Sequence, residues 1–149
     1  MIDIDSILLM WSEDSAIDEH SLDDTTIKGA RLHSKYLDLY TKTKIHIKKT
    51  DMELNTLLKS KWEWYNGKMP KNQIDSLGWA YDPFDGCSKP LKGDMDRYYN
   101  ADPDIQKVKA KLDLLNIQKE TLDEIISTLR WRHQNIKNII SWRQFLSGN

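Results

Sequence analysis

Cysteine occurs once in the 149 residues, at Cys87, so neither a disulfide framework nor a thiolate metal cluster is available, and a reducing compartment is expected. No apolar run approaches the 18 residues of a membrane-spanning helix, and the first residues are acidic where an export signal needs a basic start. A soluble, unexported protein is the expectation. Histidine stands only at His20, His33, His46 and His133, with no pair at metal-ligand spacing. Glycine-rich phosphate loops and a Gly-x-Ser-x-Gly elbow are absent. Asp94, Asp96, Asp102 and Asp104 match no calcium loop, and Asp82-Pro83-Phe84-Asp85-Gly86 lacks the alternating ligands and closing glutamate. These gaps argue against an enzyme, and no cofactor or metal is expected.

Charge is missing by sign as well as by place. Met1 to Asp24 has eight acids and no Lys or Arg, whereas Ile125 to Asn149 has Arg130, Arg132, Lys137 and Arg143 and no acid. Between them, Lys28 to Lys61 carries nine bases against three acids. The formal net charge of −1 therefore hides an acidic head and two basic blocks, a pattern suited to a polyanionic partner. Two solvated helix faces are the plainer alternative.

What is present is helical periodicity. Asp102-Pro103 is a cap followed by a proline at the first helical position. Apolar residues then recur at Ile105, Val108, Leu112, Leu115, Leu122, Ile126, Leu129, Ile136 and Ile140, a heptad seam interrupted at Lys119 and His133. A helix of that length is expected to associate with other subunits through Leu112, Leu115, Leu122, Ile126, Leu129, Ile136 and Ile140. The alternative is a helix folded back on a partner within one chain. A second long helix starts near Ser21 and stops before Gly67 and Pro70. Its apolar face is marked, less regularly, by Ala30, Leu37, Tyr40, Ile47, Leu54, Leu58, Trp62 and Tyr65. Ile4, Ile7, Leu8 and Trp11 make a short amphipathic helix that needs a docking partner. From Gly67 to Ala101 periodicity vanishes, with Asp85-Gly86 a tight turn and short hairpin strands an option.

The expected fold class is thus all-α: two long helices, a short N-terminal helix and an irregular central loop, with the C-terminal helix forming an oligomeric bundle or ring. Within one domain the parts are an acidic docking segment (1–20), a basic helix (21–66), a connecting segment (67–101) and the oligomerisation helix (102–149).

The chemically densest stretch is Leu57-Leu58-Lys59-Ser60-Lys61-Trp62-Glu63-Trp64-Tyr65. Cations beside indoles offer what unpaired nucleic acid needs, a phosphate contact and a stacking surface. Trp62 and Tyr65 are expected in the core, which leaves Trp64 as the stacking residue beside Lys59 and Lys61. Lys35, Lys48 and Lys49, from the same basic block, complete the expected nucleic-acid contacts.

His33-Ser34-Lys35-Tyr36-Leu37, the run from Leu58 to Gly67, Gly93-Asp94-Met95-Asp96-Arg97-Tyr98 and the closing Ile136 to Gly148 together resemble the UvsY recombination mediators of T-even-type tailed phages. The resemblance covers most of the chain from about Arg31 onward. It implies a homo-oligomer, a hexamer or heptamer, that binds single-stranded DNA, helps displace the phage single-strand-binding protein and loads a UvsX-type recombinase in the cytoplasm of the infected bacterial host. It also implies that Lys59 and Lys61 serve the DNA. Lys61 stands where the family can carry Arg, which keeps the charge but not the planar fork. A structural coiled-coil oligomer or phage assembly chaperone without a nucleic-acid role is the rival reading.

Overall fold

The computed structural model describes residues 2–148. The order is α1 (Ile4–Asp14), α2 (Leu22–Tyr65), α3 (Lys71–Leu77), a 3-10 turn (Lys92–Asp94), α4 (Met95–Ala101) and α5 (Pro103–Leu146). Asp3 caps α1 by accepting from the Ser6 N–H at 2.8 Å. At the end of α2, the Lys68 N–H reaches the Glu63 carbonyl and the Gly67 N–H that of Trp64. Gly67, at φ 68°, supplies the left-handed residue this terminus requires. At the start of α5 the Asp102 Oδ1 accepts from the N–H groups of Asp104 (3.0 Å) and Ile105 (3.2 Å), while Pro103 occupies a position whose donor would be orphaned.

The chain forms two compact units, one from the residues up to His46 with those from Leu115 on, the other Ile47–Leu114. In the first, Ile7 of α1, Leu32 and Tyr36 of α2, and Leu122, Ile125, Ile126 and Leu129 of α5 make one core. Each such side chain contributes roughly 1.5–3 kcal/mol by burial. Trp11 meets Tyr36 edge to face at 5.5 Å. The Asp14 Oδ2 accepts from Lys35 Nζ (2.6 Å) and Tyr36 Oη (2.9 Å). Thus α1 docks on its own chain, and its acidic end binds the basic helix. In the second unit Leu54, Tyr65, Met69, Ile74, Met95 and Ile105 are buried.

Three expectations change. The central segment holds α3 and α4 and, among the described residues, no strand; each of these helices is only 7 residues long, too short for a 3.6-residue period to register. The apolar seam of α5 is largely spent inside the chain: Leu115, Leu122, Ile126, Leu129 and Ile136 are buried, Leu112 is half-buried and Ile140 is exposed. Finally, Trp62 and Leu37 are exposed rather than in the core. The buried line of α2 instead runs through Thr25, Leu32, Tyr36, Thr43, Thr50, Leu54, Lys61 and Tyr65.

Candidate nucleic-acid interface

Lys61 falls on that buried line and is only 3% exposed. Its ammonium lies 3.0 Å from Asp102 Oδ2 and 2.8 Å from Asp104 Oδ2. It also sits 4.0 Å above the Trp79 ring and 4.6 Å above that of Trp64. A buried cation survives only when paired and hydrogen-bonded, and here two carboxylates and two ring faces surround it. Tyr65 Oη donates to the same Asp102 oxygen at 2.8 Å. Burial pushes the Asp102 carboxyl up, but the hydrogen bonds from Tyr65, Lys61 and the Ile105 N–H outweigh it and hold the group below the usual carboxylate range. Burial and the neighbouring Asp102 both push the Tyr65 phenol upward.

Around this pair the aromatic residues close a shell. Tyr65 contacts Trp64, Phe84, Tyr98 and Tyr99 at ring separations of 4.8 to 6.5 Å. Trp64 packs on Trp79 at 5.3 Å and donates its indole N–H to the Ala80 carbonyl at 2.8 Å. Trp64, the expected stacking residue, is therefore a half-buried wall of this cluster. Lys61 is likewise directed inward and presents no charge to solvent.

The outward face of α2 carries a different set. Lys48, Met52, Lys59 and Trp62 are all exposed, and at 100° per residue they lie within roughly 40° of one line. Lys59 is 78% exposed in its side chain and reaches Glu63 only at 3.9 Å, a contact of little energetic weight. The Trp62 indole is 47% exposed, and Lys68 Nζ lies 4.5 Å over its ring. Lys49 is exposed a little over a quarter-turn away. Neither Lys48 nor Lys49 forms an ion pair among the described residues. Lys35, in the first unit, is half-exposed at its side chain and bound to Asp14.

Sequence reasoning missed Trp62 and Lys68. Their signal is the heptad phase of Thr50, Leu54, Lys61 and Tyr65, which turns Trp62 outward. Among the described residues no cluster of three potential ligands could hold a metal ion, and no helix is long and apolar enough to cross a membrane.

A family profile, described as "Recombination, repair and ssDNA binding protein UvsY", matches residues 10–149. Crystal structures of the bacteriophage T4 recombination mediator protein UvsY superpose over nearly the whole chain. One has 20% identity and a TM-score of 0.84, with 99% of each chain covered. A second has 19% identity and a TM-score of 0.78, covering 97% of this chain and 98% of that one. A third has 21% identity and a TM-score of 0.80, covering 94% and 98%. No curated protein matches.

Proposed function

The chain belongs to the UvsY family of recombination, repair and single-stranded-DNA-binding proteins, and from that premise we infer a recombination mediator that grips single-stranded DNA along the outer face of α2. The observation that carries this reading is the exposed row Lys48, Lys59 and Trp62, with Lys68 poised over the indole. The lysines contact phosphates and Trp62 stacks on an unpaired base, while Lys49 and Lys35 extend the positive field. Lys61 acts differently: it fixes the end of α2 to Asp102 at the start of α5 and so sets the direction in which Lys59 and Trp62 face.

One subunit offers few contacts, so the working form is a homo-oligomer in which the same weak site recurs and avidity supplies the affinity. A hexamer or heptamer fits the family. Since the main seam of α5 is buried within the chain, subunits meet through its other side, where Trp131, Asn135, Asn138, Trp142 and Phe145 are exposed at steps of four and three. A strand held this way is handed to a UvsX-type recombinase in exchange for the phage single-strand-binding protein. Nothing is hydrolysed; the partners compete for one strand. Fluorescence anisotropy of single- and double-stranded oligonucleotides across a salt series tests this. A single-strand preference that decays with salt is expected, and no binding at low salt refutes it.

A further inference from the structure

In the first unit a half-enclosed cleft of about 260 Å³ opens between α2 and α5. Its buried floor includes Leu129 and Ile136, and its exposed rim carries Arg130 and His133, with half-buried His33 on one wall. The opening exists because α2 has Gly29 where the neighbouring turns place side chains. A Cβ built there would meet nothing within 4 Å. Glycine is the least favourable residue inside a helix apart from proline, and packing does not require it here. Space is kept where a larger residue would fit and would strengthen the helix.

Chemistry marks the same cleft. No carboxylate lines it, and none of its cationic or imidazole side chains forms an ion pair among the described residues. Arg132, also a lining residue, donates through its terminal nitrogens to the carbonyls of Asp14 (3.0 Å) and Ala16 (2.7 Å). Its Nε is buried with no partner. A buried donor left unpaired is rare in folded proteins; closed to solvent, it adds positive charge beside the cleft and no hydrogen bond within it. An apolar floor and a cationic rim without a carboxylate together fit a flat ring carrying an anionic group.

We propose that this cleft is a second nucleic-acid site and takes one nucleotide of a bound single strand. The base lies on Leu129 and Ile136, and the adjoining phosphate sits at Arg130 and His133. The site rests on the single-strand-binding reading and extends it to a surface away from the row on α2.

The test is oligothymidylate anisotropy on full-length Gly29→Leu, which fills the cleft without removing a charge and raises helix propensity. Affinity is expected to fall about tenfold while the unfolding midpoint holds or rises. Arg130→Ala and His133→Glu, both at exposed positions, supply the same loss without altering the interior. In Arg130→Ala the salt slope falls by about 0.7, as for one lost phosphate of a single strand. Wild-type affinity in Gly29→Leu and His133→Glu, from a protein that itself binds the strand, overturns the cleft and leaves the α2 row intact. A wild-type protein that binds no single strand removes both readings together. Saturation of the cleft by thymidine monophosphate alone, without competition by the strand, also overturns it in favour of a free-nucleotide pocket.

Discussion

The Lys61 ammonium and the Asp102 carboxylate lie 3.0 Å apart with side chains only 3% and 2% exposed, and the pair ties the last turns of α2 to the first turn of α5. Asp102 has three duties at once: it caps α5, accepts from Tyr65 and neutralises Lys61. Removing one partner leaves a buried charge uncompensated, which typically costs about 3–5 kcal/mol. Lys61→Met is expected to destabilise the protein by that amount in urea unfolding, and Lys61→Met with Asp102→Asn to recover part of the loss. The DNA binding that remains is expected to keep the wild-type salt slope, because the Lys61 ammonium is buried against Asp102 and Asp104. A slope lowered by about 0.7, as for one single-strand phosphate, would return Lys61 to the DNA contacts.

Lys59 and Trp62 should separate in the same experiment. If Lys59 contacts a phosphate as proposed, Lys59→Ala is expected to lower the slope by about 0.7. On the proposed stacking role, Trp62→Ala should cost about 1–3 kcal/mol of binding, with the slope unchanged. Both side chains face solvent, so unfolding midpoints should hold. Trp64→Ala is expected instead to unfold the aromatic shell, because its ring packs on Tyr65 and Trp79.

The helices were legible in the sequence because caps and breakers are local: Asp102-Pro103 opens α5 and Gly67 closes α2. The facing of α2 was not. Its buried line contains Thr25, Thr43, Thr50 and Lys61, polar residues that a search for apolar periodicity passes over. Thr43 accepts from Gln118 of α5 at 2.9 Å, and Lys61 is neutralised by residues some forty positions away. Pairing of that kind is a tertiary fact. Leu54 and Tyr65 lie on both the apolar face and the buried line, but between them the buried position falls to Lys61 and not to Trp62, which leaves Trp62 exposed and Trp64 half-buried. The α5 seam was visible, but an apolar stripe does not say whether its partner is α2 of the same chain or another subunit.

Stability should fall on both sides of neutrality. Asp102 is buried and Asp14 half-buried, which pushes both up, yet hydrogen bonds and nearby lysines hold both below the ordinary carboxylate value. The unfolded chain therefore binds protons first, and their stabilisation, full above about pH 4, is lost as pH falls through the lower folded values. Tyr36 and Tyr65 are raised by burial and by Asp14 and Asp102. Their contribution is present below about pH 10 and is lost as pH rises through the higher folded values. Thermal midpoints across pH should show a plateau with both edges. Tyr65→Phe removes one donor to Asp102 and should move the acid edge to higher pH; an unmoved edge would contradict the shared hydrogen bond.

The two faces of α5 make opposite predictions. Leu122 is fully buried among Ile7, Leu32 and Tyr36, so Leu122→Ala should cost about 3 kcal/mol of folding stability and leave the subunit number unchanged at concentrations where the chain stays folded. Trp142 and Phe145 stack at 5.6 Å on the exposed side. Trp142→Ser with Phe145→Ser removes no intrachain core and should leave the unfolding midpoint of the dilute subunit unaltered. The mass in solution should instead fall toward that of one chain, and DNA affinity with it, because avidity over repeated sites is lost. Sedimentation equilibrium distinguishes these outcomes. A double variant that keeps its full assembly would place the subunit contact elsewhere, with Leu8 and Leu9 on the exposed side of α1 the next surface to alter.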